Sequence, residues 1–385
     1  MTYRCAILKD ERGRTLPSLQ KNGETISKLA IWRMPMRVGS AEVLMGGIGG
    51  VWTHEKHRHK GHASVVMEDA CAWMRDNGYD VSILFGIPNF YHRWGFVVTL
   101  SSSRVFVPAR VAEQCDATCR PRRYRDGDLA AAMAMFNANS ASRTASQVRR
   151  VPGWVPWRKG VRWGVKPTLF SYMRHGKLVA VAGFDLSAEE VSCVDAAFAD
   201  ESAIAGVVRH AGALAVERRV EKITFWAPPD GALADFCREQ GACEMTQNTP
   251  RCSGGMARII NQTQCLKKVA PEFARRLRAS QFAKWSGKVD VVTNLGATRL
   301  VAAKGKVTIA PRKGRADVTL RCPQQRLTQL LFGFQSIDFM LAHKFARVSG
   351  SAFAKATAGR KPVARDILAT LFPRSTAYVA VPDHF

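Results

Sequence analysis

Residues 48–68 read GIGGVWTHEKHRHKGHASVVM and gather four histidines, two lysines and one arginine around a single glycine, Gly61. Three chemistries compete for this stretch: a metal site, a nucleic-acid grip, or a loop that holds a phosphate. His54, His57, His59 and His62 have the right donor atoms for a metal. Beyond Glu55, however, no cysteine or carboxylate cluster completes a ligand set, so no metal is expected. The phosphate reading makes better use of the order of residues. A strand ending at Val51–Thr53, a short loop, Gly61 and a helix starting near Ala63 would turn backbone N–H groups and the positive helix end toward one point. Gly61 permits close backbone approach, and Arg58, His59 and Lys60 add charge around the anion. A tight turn that merely starts a helix is the plainer alternative.

The flanks place this loop in a fold. Residues 26–53, ISKLAIWRMPMRVGSAEVLMGGIGGVWT, are two β-like runs joined by a polar hinge at Arg37–Ser40 and closed by glycines. Residues 65–77, VVMEDACAWMRDN, repeat apolar residues at helical spacing and stop before Gly78. YDVSILFG then reads as a short buried strand, and IPNFYHRWGF as a turn into a helix that leads to another strand. "RCAILKDERGRTL" near the start reads as one strand.

Near Arg123 the pattern restarts, with a helix start at Asp126–Asp128, a hairpin about His175, Gly176 and Lys177, a helix over AIAGVVRHAGALAVERR, the strand KITFWAP and the helix ALADFCREQG. This layout suggests an internal duplication whose second copy lacks the basic glycine loop. The last hundred residues differ again. A helix EFARRLRAS precedes alternating strands (GKVDVVTN, TRLVAAKGKVTIAPR, ADVTLRCP), a helix QQRLTQLLFGF and the end ILATLFPRSTAYVAVPDHF. The Pro/Gly-rich stretches near 151–167 and 250–256 read as loops.

Composition sets the outer limits. With 385 residues, 46% of them hydrophobic and 23% charged, the chain can build two or three cores. Its 57 Lys+Arg against 31 Asp+Glu give a net charge of +26, which favours polyanions without choosing among nucleic acid, lipid and a phosphorylated ligand. The basic residues are spread through every segment, and no stacking-aromatic motif of an RNA-binding module accompanies them, so nucleic acid is not the expected partner. The ten cysteines form no C-x-x-C motif, no secretory leader opens the chain, and no run approaches a membrane span. A cytoplasmic location with reduced thiols is therefore expected.

Arg58-His59-Lys60-Gly61-His62-Ala63 fits the R-x-x-G-x-A loop that binds acetyl-coenzyme A in GNAT N-acetyltransferases. With GGIGGVWTHEKHRHKGHA before the helix and SILFGIPNFYHRWGF after it, the chain resembles the Eis (enhanced intracellular survival) type of GNAT enzyme. That type has tandem GNAT domains and a sterol-carrier-protein-like C-terminal domain. The resemblance implies an α+β fold of two GNAT-like α/β units with mixed sheets followed by a sterol-carrier-like α+β domain. The boundaries would be 1–120, 121–264 (a degenerate GNAT unit that binds no coenzyme A) and 265–385.

It also implies acetyl transfer from acetyl-CoA to a primary amine by direct attack, the acceptor being a small-molecule amine such as an aminoglycoside, or a lysine. Val51, Trp52 and Thr53 would line the pantetheine arm. His59, Lys60, Gly61, His62, Ala63 and Ser64 would bind the pyrophosphate, and Gly86 and Ile87 the other side of the cofactor. Tyr91, on the family's aromatic motif, would be the general acid that protonates the departing thiolate. The general base would be the terminal carboxylate of Phe385, with a homo-oligomer, a hexamer, as the assembly. Two departures stand out. Only about 25 residues precede the ISKLAIW hairpin, where the family has a strand and two helices that wall the acceptor site, so the N-terminus is expected to be shortened. The strongly basic composition also fits polycationic acceptors poorly. A protein that keeps the fold and binds an apolar ligand without turnover is the rival reading.

Overall fold

The computed structural model describes residues 3–11, 13–150, 166–186, 190–241, 243–350 and 364–385. The stretch read as a loop at 151–167 lies almost wholly outside them. The chain divides into two compact units: residues 1–100, 250–377 and Phe385 in the first, and residues 101–249 and 378–384 in the second.

The first unit opens on a hairpin, β1 (Tyr3–Lys9) and β2 (Thr15–Lys21), where the sequence had suggested a single strand. The turn explains the difference. The Asp10 carboxylate accepts the Arg14 backbone N–H at 2.8 Å, the Gly13 N–H reaches the Asp10 carbonyl at 2.9 Å, and Gly13 takes the left-handed φ of +70° that the reversal needs. Next come β3 (Glu24–Val38) and β4 (Ala41–Thr53), a long antiparallel pair that agrees with the two runs read from the sequence. Helix α1 (His62–Asp76) buries Val66, Met67, Ala70, Cys71 and Met74, one helical face, and ends at Gly78 with φ +74°. β5 (Val81–Gly86) lies parallel to β4, as the crossover through α1 requires. β6 (Val97–Leu100) follows.

The chain then builds the second unit from β7 (Ser102–Pro108), α2 (Ala109–Glu113), β8 (Arg120–Arg123), α3 (Leu129–Asn139), β9 (Thr168–Arg174), β10 (Lys177–Asp185), β11 (Val191–Phe198), α4 (Ile204–Glu217), β12 (Lys222–Phe225), α5 (Ala232–Glu239) and β13 (Glu244–Asn248). Its seven strands run in the order β13-β7-β12-β11-β10-β9-β8. The β9–β10 hairpin turns through His175 (φ +49°) and Gly176 (φ +76°), the two left-handed residues of a tight hairpin turn. β11 and β12 are parallel and joined through α4, repeating the relation of β4, α1 and β5.

β14 (Gly254–Ile259) returns to the first unit and completes its sheet in the order β1-β2-β3-β4-β5-β14-β6. The expectation of a loop over 250–256 is corrected from Gly254 onward. Gly255 has no side chain because Leu100 of β6 presses against it: a Cβ there would lie 2.5 Å from the Leu100 Cβ. Helix α6 (Gln262–Arg278) leads into a third, five-stranded sheet of order β17-β16-β15-β18-β19. Its elements are β15 (Gly287–Thr293), β16 (Gly296–Ala303), β17 (Lys306–Ala310), β18 (Val318–Arg321), α7 (Gln324–Leu331), α8 (Ile337–Ala342), β19 (Arg347–Ser349) and α9 (Ala364–Leu371). The architecture is mixed α+β with three mixed sheets, and among the described residues no helix is long and apolar enough to cross a membrane.

Glu272 on α6 ties this helix to the β3–β4 turn. Its fully buried carboxylate accepts from the Ser40 hydroxyl (2.6 Å) and pairs with Arg275 and Arg276, each at 2.7 Å. Burial alone would raise its pKa, but the Arg275 and Ser40 hydrogen bonds and the Arg276 charge overrule it and hold the acid at about 2. Because the folded value lies below the unfolded one, this stabilisation is complete above about pH 4.5 and fades as the pH falls toward 2. Replacing Glu272 with Ala leaves the buried Arg276 unmatched, with the half-exposed Arg275 free to turn to solvent, and is expected to cost about 3 kcal/mol at pH 7. The loss should shrink in urea titrations at pH 3, and an equal loss at both pH values would contradict the ion-pair account.

Candidate active site

The site grows from a gap between two strands. β4 and β5 pair in parallel from Met45↔Val81 to Ile48↔Leu84 and then stop. Both continue. β4 stays bonded to β3 through Gly49, Trp52 and Thr53, while β5 stays bonded to β14 through Phe85↔Gly255 and Gly86↔Gly254. A wedge therefore opens in the sheet, with strand backbone on both walls.

Phe385, the last residue, lies on the face of β4 that carries Gly47 and Gly49, beside this wedge. A Cβ on Gly47 would come within 2.7 Å of its ring, and a Cβ on Gly49 within 3.0 Å of its terminal carboxyl carbon and 3.5 Å of the Trp32 Nε1. The Phe85 ring packs on Phe385 with centroids 5.7 Å apart. Gly47 and Gly49 of MGGIGG are thus contact surface: they let the tail lie on the strand, and a side chain at either would push it off.

Tyr91 stands at the other wall. It opens a short 3₁₀ turn, Tyr91–Trp94, and its ring lies so close to Gly86 that a Cβ there would sit 2.5 Å from it. Phe90 meets the ring edge-on at 4.9 Å, and Trp94 lies at 6.3 Å. The side chain is only 8% exposed, and among the described residues nothing hydrogen-bonds its phenol. Burial raises the phenol's pKa above its ordinary value, so at neutral pH it keeps its proton.

The basic loop lies beyond β4. Glu55–His57 form a 3₁₀ turn in which His54 Nδ1 accepts the Lys56 N–H, while the Lys60 ammonium bonds the Lys56 carbonyl at 3.1 Å. His59 (φ +61°) and Gly61 (φ +78°) are both left-handed, and nothing lies within 4 Å of where a Gly61 Cβ would be. Gly61 starts α1 with no side-chain cap and no acidic residue in the first turn, leaving a positive helix end ringed by Arg58, His59 and Lys60. Partial burial, followed by the charges of Lys21 and Lys60, pushes the His57 pKa down. Among the described residues no group of three or more His, Cys, Asp or Glu could hold a metal ion.

The remaining residues singled out in the sequence lie along the same edge of the first sheet. Val51 packs on the core, and Trp52 is exposed with Lys28 over its ring at 5.7 Å. Thr53 Oγ1 is 2.9 Å from Ser27 Oγ, Gly86 ends β5, and the exposed Ile87 follows it. Sequence reasoning passed over Gly47, Gly49 and Phe85, which receive the tail. The signal for the glycines was present: paired glycines inside a strand mark a close approach.

Residues 10–99 match the family model described as the acetyltransferase (GNAT) domain. The matched segment is an acyltransferase domain, and transfer of an acyl group is the chemistry that its fold serves. Among solved structures, the chain is similar to a GCN5-related N-acetyltransferase from Kribbella flavida (16% identity, 96% of this chain and 88% of that one, TM-score 0.70). It is also similar to a GCN5-related N-acetyltransferase from Anabaena variabilis ATCC 29413 (14%, 96% and 89%, 0.72) and to Eis1 from Mycobacterium abscessus (15%, 98% and 98%, 0.64). At these identities the likeness speaks for the fold. No curated protein matches the chain by sequence.

Gly47 offers a direct check on the seat of the tail. Carboxypeptidase should release Phe385 slowly from the native chain and several-fold faster from a Gly47→Ala variant, whose methyl group would overlap the ring. Equal rates in two folded proteins would show that the ring does not depend on this seat.

Proposed function

We propose that the first unit transfers an acetyl group from acetyl-CoA to a primary amine by direct attack. The observation that supports this reading is the terminal carboxylate lying against Gly49 of β4, next to where β4 and β5 stop pairing. In this reading the terminal carboxylate against β4 serves as base, and the buried, protonated phenol against Gly86 of β5 serves as acid.

In this reading Val51–Thr53 and Gly86–Ile87 offer strand backbone to the pantetheine arm. His59, Lys60, Gly61, His62, Ala63 and Ser64 set the start of α1 against the pyrophosphate, which the uncapped helix end and its cationic surround favour. The Phe385 carboxylate takes a proton from the ammonium form of the acceptor, and the freed nitrogen lone pair attacks the thioester carbonyl carbon. A C–N bond forms and the C–S bond breaks. The electron pair leaves on sulfur, and the Tyr91 phenol supplies the proton that converts thiolate to thiol. Burial of Tyr91 suits an acid that must stay protonated until sulfur departs.

The acceptor is read as an amine on a small molecule or on lysine. For residues 265–385, the five-stranded sheet with α6, α7, α8 and α9 supports the sterol-carrier-like reading in its layout. Free-thiol release from acetyl-CoA, measured with a panel of amines, tests the proposal. Tyr91→Phe and removal of Phe385 should each lower kcat by about 10²–10⁴ with little change in acetyl-CoA affinity. Full activity without Phe385 would reject the tail carboxylate as base, and no turnover with any amine would favour the ligand-binding rival.

A further inference from the structure

The second unit repeats the wedge with different chemistry. β11 and β12 pair in parallel from Val191↔Ile223 to Cys193↔Phe225, the Trp226 N–H still reaches the Cys193 carbonyl at 2.9 Å, and then the strands part. A cavity of about 420 Å³ lies where they diverge, bounded by the ends of both strands and the starts of α4 and α5. That is within the range of small-molecule sites. Phe198, Ile204, Trp226 and Leu233 supply apolar wall.

Two features select the charge of an occupant. The first is the helix end. Before α4, the Asp200 carboxylate accepts the Ala203 N–H while pairing with the Arg174 guanidinium, and Glu201 follows it, so the positive helix end already has its own acidic cap. Arg143 also lines the cavity, but its guanidinium is held by the Asp230 carboxylate at 2.7 Å. The second feature is Asp195, only 7% exposed and on the cavity wall. Its Oδ2 accepts from Arg149 at 2.7 Å, whereas its Oδ1 has no hydrogen-bond donor among the described residues. That oxygen can still accept, and an ammonium placed in the cavity would pair with it. The aromatic walls would add cation–π attraction.

We propose that the cavity between the diverging ends of β11 and β12 is a binding site for a small amphiphilic primary amine, its ammonium on Asp195 Oδ1 and its aromatic or alkyl body against Phe198, Trp226 and Leu233. The site is separate from the acyl-transfer reading and does not depend on it.

Calorimetric titration of the full chain with 2-phenylethylamine, with no acyl donor present, tests the site, and phenylacetate serves as the anionic counterpart. Saturable binding of the amine is expected, with phenylacetate at least tenfold weaker. Asp195→Asn should weaken the amine at least tenfold. Ala199→Trp fills the cavity from an exposed position and should abolish binding while leaving the thermal unfolding temperature close to native. Absence of saturable heat, equal binding of phenylacetate, or unchanged binding in the Ala199→Trp variant would overturn the proposal. The last result would place the amine elsewhere, including at an acceptor site of the first unit. Because nothing in this titration turns over, a failed transferase assay leaves its outcome intact.

Discussion

The first unit depends on two parallel strands that stop pairing while both continue. Past Ile48 and Leu84, β4 and β5 lose each other but keep the antiparallel neighbours on their outer edges, β3 and β14. A sheet normally satisfies backbone N–H and C=O groups strand against strand, and interrupting that ladder leaves polar groups that something else must meet. The interruption lies in the interior of a sheet, with β3 and β14 on the outer edges of the two strands, and it is the feature on which the proposed acyl-donor site rests.

Glycine makes the gap usable. Gly47, Gly49 and Gly86 leave the two walls bare, so that the Phe385 ring, its carboxylate and the Tyr91 ring lie directly on backbone. Glycines in strand interiors weaken a sheet, by roughly 0.5–1 kcal/mol each relative to alanine. Their concentration in one strand is a local cost that the wide β3–β4 pairing and the apolar core of Met67, Ala70, Met74 and Phe96 offset. The charge arrangement follows the same geometry. The helix that crosses from β4 to β5 begins beside the gap, uncapped and surrounded by cations.

The second unit keeps the geometry and reverses the electrostatics. Its crossover helix starts with a capping aspartate and a glutamate in place of a left-handed glycine and a basic loop. Its own gap is partly closed by Tyr378, whose hydroxyl donates to the Trp226 carbonyl at 2.8 Å, and by Asp383, bound to the buried Arg149 at 3.0 Å. One topology thus supports an anion-receptive edge in one unit and a cation-receptive cavity in the other. The difference lies in a handful of side chains at the helix starts and on the strand after the divergence.

Local chemistry made much of this legible in advance. The β3–β4 run, α1 ending at Gly78, the left-handed turn at His175–Gly176 and the glycine before α1 follow from periodicity and backbone preference within a few neighbouring residues, and the sequence carries both. The same holds for the basic loop and the aromatic turn at Tyr91. What the chain could not reveal by itself is long-range. The N-terminal strands closed around an Asp10 turn, and Gly254–Ile259 returned to complete the first sheet. Phe385 came to rest on Gly47 and Gly49, near the opposite end of the chain. Strand partners and the seat of a tail are decided by which backbone edges and glycine surfaces remain open after the rest has packed. Such vacancies belong to the assembled sheet and leave no periodic mark in the residues that fill them.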